Sequence, residues 1–291
     1  MKMQRIKINQ SAINDPENKP VQRVVDAAPF AYDKFQDAYK ICNIDLIQNK
    51  NLLAAQTYNY GHLFMYPMQE LTGNIAYDYS GNYRDALYNS VHLNWVAPTG
   101  MIDRAARFDG SSSYIVLPKD TCSVRGLSQI TFETIIQVKG TWKKQHIYLE
   151  AVEDRATHSR FCVVLNENNT LTVWTRTGAS AQPLQEVTTN TSLTEGVHMV
   201  AVTVDITEAE VLIYVDGESV LTTGTVDYGT DTAFADTEPR GNILIGSNQN
   251  STGIPQPNYE GIIAYLSMYS RKLDATTLLN HAQAGGIIWN I

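Results

Sequence analysis

The amino-acid sequence predicts an all-β fold, a two-sheet antiparallel sandwich that carries a short N-terminal arm with a helical segment. The first observation is the pair Asp216-Gly217, which separates two β-rich runs, residues 211–215 and 218–221. An Asp-Gly pair between such runs is a strong signal for a two-residue hairpin, because a type I′ turn needs positive φ at both central positions. The second observation is the alternation of apolar and polar residues over 130–138, which is typical of a strand with one buried and one solvated face.

The other strands are predicted in chain order from apolar, aromatic or β-branched runs bounded by turn residues. They are residues 62–68, 86–88, 114–117, 145–152, 159–165, 171–175, 197–204 and 242–246. The tetrad 166–169 is rich in Asn, so the strands on either side of it are predicted to be antiparallel neighbours. Two long polar loops, 228–241 and 247–258, are places where a rigid sandwich commonly carries a binding site. A short helix is predicted over 274–280, ended by the glycines at 285–286.

The first 61 residues differ in pattern from the rest of the chain. Residues 4–8 alternate and predict a short strand, whereas the Asn/Pro-rich residues 11–20 predict an extended link. Residues 29–39 place aromatic side chains at helical spacing, but such groups are too few to form an independent core. We therefore divide the chain into an N-terminal attachment segment, residues 1–61, and a sandwich domain, residues 62–291, and expect the segment to be buried on the sandwich or on another subunit.

The composition limits the classes of function. The formal net charge is -8, the pI is about 5.2 and no Lys/Arg-rich run is present, so the sequence predicts no nucleic-acid binding. Three cysteines without CxxC spacing indicate neither a disulfide framework nor a zinc site, and we expect buried thiols. The sequence begins without an apolar leader and has no apolar run long enough to span a membrane, which predicts a cytosol-like compartment and no membrane insertion.

Four motifs resemble those of one known family. The pattern His-x-Val-Ala-Val-Thr at 198–203, followed by Leu-x-Tyr-Val-Asp-Gly at 212–217, resembles the laminin-G-like family of concanavalin A-like lectin/glucanase jelly rolls. Residues 105–110 are similar to its Ala-x-x-Phe-Asp-Gly pattern, residues 78–82 to its Asp-x-Ser-Gly-Asn loop, and residues 259–273 to its closing strand. The resemblance implies that the sandwich has jelly-roll topology over most of its length.

Enzymes on this general fold are mostly glycosidases, so paired carboxylates are the chemistry to look for. Such enzymes place carboxylates at i, i+2 and i+4 of one strand face, about 5 Å apart. The nearest pattern begins at Glu150, but Val152 stands at i+2 and residues 153–154 fall in a predicted surface turn. The six histidines lack the spacing of a metal pair, and His198 is expected to be a packed or hydrogen-bonded residue. We therefore predict a non-catalytic protein.

A structural calcium ion is the one cofactor that the resemblance raises. The family's site implies oxygen ligands from an early carboxylate and the Ser-Gly-Asn loop, which correspond to Glu70, Asp78, Gly81 and Asn82. The Asp that the family carries on its closing strand is replaced here by Ala264. We expect no cofactor, with calcium at these residues as the alternative, and we expect Asp78 and Asn82 to shape their turn by Asx-type hydrogen bonds.

Trp174 and Arg176 are the candidate ligand-binding residues of the sheet. If Leu171 and Val173 face the core, the alternation of a strand directs Trp174 and Arg176 to the exposed face, where an aromatic ring beside a guanidinium suits a sugar. Trp142, in the turn before residue 145, is a third candidate. The alternative for both tryptophans is an amphipathic side chain half-buried under a loop.

The functional expectation is a structural or binding protein of a virion, such as a bacteriophage decoration, head-fibre or tail protein, assembled in the host cytoplasm. Its jelly roll is expected to adhere to glycan or protein. The expected partners are other virion subunits, bound through residues 1–61, and a host-surface glycan, and a homo-oligomer is compatible with the sequence. An exported, extracellular carbohydrate-binding or adhesion module is the first alternative, and a glycoside hydrolase is the second.

Overall fold

The computed structural model of the protein describes residues 61–68, 70–95, 105–140, 142–152, 159–178 and 183–284. The expected strand at 4–8, the helix within 29–39 and the whole attachment segment up to residue 60 lie outside the described residues. In chain order the elements of the described part are β1 (His62–Tyr66), β2 (Ile75–Ala76), β3 (Ala86–Asn89), β4 (His92–Trp95), β5 (Ala105–Asp109), β6 (Tyr114–Leu117), α1 (Lys119–Cys122), β7 (Gln129–Val138), β8 (Gln145–Ala151), β9 (Ser159–Leu165), β10 (Leu171–Thr175), β11 (Gln185–Thr189), β12 (Gly196–Asp205), β13 (Glu210–Val215), β14 (Glu218–Ser219), β15 (Thr222–Thr223), β16 (Ile243–Ile245), β17 (Ser247–Gln249), β18 (Pro255–Pro257), β19 (Glu260–Tyr269) and α2 (Ala275–Ala284).

The strands form two large antiparallel sheets, which confirms the predicted all-β sandwich. Sheet A has the order β14-β13-β12-β7-β19-β5-β4, and β1 also pairs with β19. Sheet B has the order β15-β11-β10-β9-β8-β16-β6-β3-β2. Neighbours in each sheet are often distant in sequence, as β7 and β19 are, so the connections cross between sheets as a jelly roll requires.

The core fills the space between the two sheets. Phe132 of β7 contacts two aromatic residues of sheet B, with ring centroids 5.3 Å from Tyr148 and 5.9 Å from Phe161. All three side chains are fully buried. Burial of one such side chain contributes roughly 1.5–3 kcal/mol relative to leaving it in water. Cys122 and Cys162 are buried free thiols, as the sequence predicted.

The turn at Asp216-Gly217 has the predicted hairpin conformation. Its φ angles are 54° at Asp216 and 86° at Gly217, so both central residues lie in the positive-φ region that a type I′ turn needs. The predicted hydrogen-bonded role of His198 is also confirmed, since its Nδ1 lies 2.8 Å from Asp216 Oδ2. Position 217 has a second constraint, because a Cβ there would stand 2.9 Å from Leu279 Cα of α2. The hairpin tip is therefore a docking point for the C-terminal helix.

Helix α2 lies on the outer face of sheet A. Its first turn is capped by Asp274, whose Oδ1 accepts a hydrogen bond from Thr277 N at 2.8 Å. Leu278 and Ala282 are fully buried against that face. The helix continues four residues beyond the predicted end at 280 because this apolar stripe continues to Ala282. No helix within the described ranges is long and apolar enough to cross a membrane.

Candidate ligand-binding surface

Trp142 is the most exposed aromatic side chain among the described residues. It lies in the connection between β7 and β8, its side chain is 79% exposed and its φ is 54°. A bulky non-glycine residue at positive φ is strained by roughly 1–3 kcal/mol, and such strain is concentrated at functional sites. Large indole rings are usually mostly buried, so an exposed ring in a strained turn marks this connection as a candidate contact surface.

Acidic side chains support the turn that carries Trp142. Lys139 and Lys143 flank it, and their Nζ atoms lie 3.9 Å and 3.7 Å from the two carboxylate oxygens of Glu260 on β19. Behind the turn, a Cβ at Gly140 would collide with the carboxylate of Glu195, so the backbone approaches that side chain closely. Trp142 is thus presented on a braced connection with charged groups of both signs beside it.

Trp174 lies on the outer face of sheet B, as predicted, because Leu171 and Val173 face the core. Its indole Nε1 donates to Glu186 Oε2 at 2.9 Å, across the β10–β11 pairing. Lys144 Nζ stands 4.2 Å from the centroid of the ring, a cation–π contact worth about 0.5–1 kcal/mol at an exposed site. The ring is half-buried and one of its faces is covered, so a ligand that stacks on Trp174 has to displace Lys144.

The prediction for Arg176 was wrong. The side chain does not lie exposed beside Trp174, since Arg176 is only 5% exposed. The alternation that places Trp174 outward ends with β10 at Thr175, and Arg176 N then bonds to Arg160 O at 2.9 Å. A period-two pattern holds only while the chain stays in the strand.

Two contributors to this surface were missed in the sequence. Lys144 covers Trp174, and His146 meets the same ring edge-on, with centroids 6.1 Å apart. Burial lowers the pKa of His146 to about 4. The available signal was that Lys144 stands only two residues after Trp142, directly before the strand predicted from residue 145.

The candidate calcium ligands form a hydrogen-bonded turn. Asp78 Oδ1 accepts from Met65 N at 3.0 Å and Ser80 N at 2.9 Å, and Oδ2 accepts from Ser80 Oγ at 2.8 Å and Arg84 N at 2.9 Å. These four donors occupy the lone-pair sites of the carboxylate. Asn82 uses its amide nitrogen to donate to His62 O at 2.7 Å. Asp78 therefore shapes the loop by the predicted Asx-type bond to Ser80 N, whereas Asn82 instead ties the loop to the backbone of β1.

Of the other two calcium candidates, Glu70 has different hydrogen-bond partners and Gly81 lies within the same turn. Glu70 Oε2 accepts a hydrogen bond from Tyr88 OH at 2.6 Å and Oε1 accepts one from Tyr77 N at 2.9 Å. Gly81 has a φ of 86° and forms part of the turn. Across the ranges that the structure describes, no three His, Cys, Asp or Glu side chains are grouped so as to hold a metal ion.

Glu150 lies within the strand that the sequence predicts over 145–152. It is on β8, opposite Phe161, and is fully buried. Its Oε1 accepts from Arg160 Nη1 at 2.7 Å and from Ser123 Oγ at 2.6 Å, while its Oε2 accepts from Val124 N at 3.0 Å. A carboxylate paired in this way stabilises the interior and is closed to substrate. Residues 153–154 lie outside the described residues.

Solved structures with the same fold include two kinds of protein. The receptor binding domain of botulinum neurotoxin C/D mosaic serotype matches with a TM-score of 0.57 and 9% identity over 77% of this chain and 51% of that one. The binding domain of botulinum neurotoxin DC in complex with rat synaptotagmin II matches with a TM-score of 0.56 and 13% identity over 77% and 52%. A Trypanosoma rangeli sialidase mutant displaying trans-sialidase activity matches with a TM-score of 0.54 and 13% identity over 78% and 33%.

These structural matches show the fold alone, because their identities are low and the chain spans about half of the toxin domains and a third of the sialidase. Among curated protein sequences there is no significant match. The model of the concanavalin A-like lectin/glucanases superfamily matches residues 109–278, which is more than half of the 291 residues. This chain therefore belongs to the concanavalin A-like lectin/glucanase superfamily.

Proposed function

We propose that the jelly roll is a non-catalytic binding module that attaches to a glycan through the connection bearing Trp142. The observation that carries the proposal is the 79% exposure of that indole at a positive φ. A rigid aromatic ring presents a large contact area with little loss of conformational entropy on binding. Such a ring in water has no structural use here, because it contributes nothing to the core.

The groups around Trp142 suit a sugar. An indole face packs on the apolar C–H face of a pyranose, and neighbouring charged groups bind its hydroxyls. Lys143, the residue that follows Trp142, and Glu260 supply a donor and an acceptor 3.7 Å apart. Trp174 and Lys144 form a second aromatic and cationic pair, on the outer face of sheet B.

The non-catalytic part of the proposal is supported by the state of the buried carboxylates. Glu150 is bonded to Arg160 and Glu133 to His281, and both glutamates are fully buried. A glycosidase needs two carboxyl groups that reach the same glycosidic bond. Neither of these glutamates reaches a ligand at the surface.

The setting that we propose is a virion, with residues 1–61 as the segment that attaches the module to other subunits. The support is the sequence pattern of that segment, an Asn/Pro-rich link with a few aromatic groups that need burial elsewhere. An exported adhesion module is the alternative setting. One of the structural neighbours is a toxin domain in complex with the protein synaptotagmin II, so a protein receptor is the alternative ligand.

The test is binding of the full chain to an array of bacterial surface polysaccharides and host oligosaccharides, followed by titration of any glycan that binds. We expect Trp142→Ala to weaken binding at least about tenfold, which corresponds to about 1.4 kcal/mol. Leu221→Ala is the matched control, because Leu221 is another large apolar side chain that is 81% exposed. Unchanged affinity of the Trp142 variant, or an array without any bound glycan, would refute the proposal.

A further inference from the structure

Two histidines hold helix α2 on sheet A. The face that α2 covers includes the apolar side chains of Ile135, Met199, Ile262 and Ala264, all buried. Beneath the same helix lies Glu133 of β7, a carboxylate that is fully buried. His281 of α2 bonds to Glu133, and His198 of β12 bonds to the hairpin tip on which α2 rests. We call His281, Glu133, His198 and Asp216 the histidine latch.

The contact of His281 with Glu133 joins the helix directly to the sheet. His281 Nδ1 lies 2.8 Å from Glu133 Oε1, and Tyr269 OH donates to Glu133 Oε2 at 2.8 Å. A buried carboxylate that loses its cationic partner is strongly destabilised, because its charge stays out of water without compensation. The docked helix is therefore most stable when His281 is protonated.

The geometry of His198 favours a ring that is protonated on both nitrogens when the tip is formed. Nδ1 faces Asp216 Oδ2 at 2.8 Å and Nε2 faces the carbonyl oxygen of Thr194 at 3.0 Å. Asp216 and the Thr194 carbonyl are acceptors, and only the imidazolium form donates to both of them. The Thr194 hydroxyl is a third neighbour, with its Oγ1 3.2 Å from Nε2. Asp216 Oδ1 in turn accepts a hydrogen bond from Met199 N at 2.9 Å. The tip supports α2, since Gly217 lies directly under Leu279.

The groups that face the latch favour this protonation. Burial by itself lowers the pKa of His281. The charge of Glu133, the hydrogen bond that its carboxylate accepts from the ring and the charge of Asp274 outweigh burial and raise the pKa above its usual value. Burial likewise lowers the pKa of His198. The hydrogen bond to Asp216, the charge of Asp216 and the hydrogen bond to the Thr194 carbonyl outweigh burial and raise the pKa above its usual value.

Other titratable groups face His281 from neighbouring strands. The Tyr269 ring of β19 stacks on the His281 ring, with centroids 6.3 Å apart. Burial is the main reason why the pKa of Tyr269 lies far above its usual value, and the charge of Glu133 adds to it. His62 of β1 contacts Tyr269 from the other side, at 4.2 Å between ring centroids, and burial lowers its pKa to about 4. Neither group changes charge near neutral pH.

We propose that α2 is a pH-dependent cover on the outer face of sheet A, docked while the histidine latch is protonated and released in a growing fraction of molecules as the pH rises. Groups whose pKa is raised by folding stabilise the folded state fully below their unfolded pKa, near 6.5 for His, and lose that contribution as the pH rises through the folded pKa. Release of α2 exposes the apolar face around Ile135 and Met199. Acidification has the opposite effect and closes it.

The test is amide hydrogen exchange of the full chain at several pH values from 6 to 9, with each rate divided by the intrinsic rate for an unstructured peptide. We expect the protection of the α2 amides to fall about tenfold or more over this range, which corresponds to about 1.4 kcal/mol. The amides of β7 and β12 serve as the internal reference and keep their protection.

Two variants separate the latch from general alkaline instability. His281→Asn and His198→Asn each keep a neutral donor near the Nδ1 position and lose the titration, so the pH dependence of α2 protection is expected to shrink in each and to vanish in the double variant. His92→Asn, at an exposed position of β4, is the matched control. Nuclear magnetic resonance titration of the wild-type imidazole rings gives an independent readout, in which His198 and His281 ionise at higher pH than an unperturbed imidazole, whose pKa is about 6.5. Protection of α2 that does not change from pH 6 to 9, or that keeps its full pH dependence in the double variant, overturns the proposal.

Discussion

Replacement of Arg160 by Met should destabilise the protein by about 3–5 kcal/mol, because it leaves a buried carboxylate without its cation. Arg160 and Glu150 are both fully buried, and the Arg160 Nη1 to Glu150 Oε1 distance is 2.7 Å. After the substitution Glu150 keeps only the Ser123 hydroxyl and the Val124 N–H as donors. Domains of ordinary size are stable by about 5–15 kcal/mol, so the loss is a large share of the total.

The measurement is urea unfolding followed by circular dichroism, with the free energy of unfolding compared at constant m-value. Lys272→Met is the matched control, since Lys272 and Glu210 form an ion pair that is about one-third exposed on each side. Pairs of that kind contribute about 0–1 kcal/mol. The large difference between the two variants comes from desolvation of Glu150, not from the loss of a positive charge as such.

A second substitution tests that reason. With Glu150→Leu added to Arg160→Met, no buried charge remains, and we expect about half of the lost stability to return. The return is incomplete because Ser123 Oγ and Val124 N lose their acceptor, at about 1–3 kcal/mol each. A loss below about 1 kcal/mol in the single Arg160 variant, or no recovery in the double variant, would contradict the argument.

Three further predictions concern the turn, the ion and the N-terminal segment. Gly217→Val should reduce the stability by about 1–3 kcal/mol through strain at positive φ, and further through contact with Leu279. In thermal unfolding its melting temperature should therefore fall more than that of Gly229→Val, a substitution at positive φ with no atom within 4 Å of the new Cβ. Dialysis against EDTA should leave the melting temperature unchanged because Asp78 is saturated with N–H and O–H donors, whereas a calcium site filled at 100 times its Kd would add about 2.7 kcal/mol. A chain that starts at Asn59 should stay folded and lose only its incorporation into the assembly; unfolding of that shortened chain, measured by circular dichroism, would show that residues 1–58 are part of the sandwich.

The sequence by itself determined the features that depend on neighbouring residues. The hairpin at Asp216-Gly217 follows from the φ angles that those two residues accept, and the loop at Asp78 follows from hydrogen bonds to donors a few residues away. The alternation within β10 placed Trp174 outward and Val173 inward because side chains of a strand point to opposite faces. Four short motifs also sufficed to indicate the family, since each one combines a turn with the strand beside it.

Only the tertiary structure decided which charges are buried and with which partners. Glu133 meets His281 across 148 residues of sequence, and Glu150 meets Ser123 and Arg160 from different parts of the chain. The character of a carboxylate depends on whether water or a cation surrounds it, and that is fixed by packing between distant segments. The same reason applies to Arg176, which follows the last residue of β10 and is only 5% exposed, because the alternation of the strand does not predict the environment of a residue beyond its end.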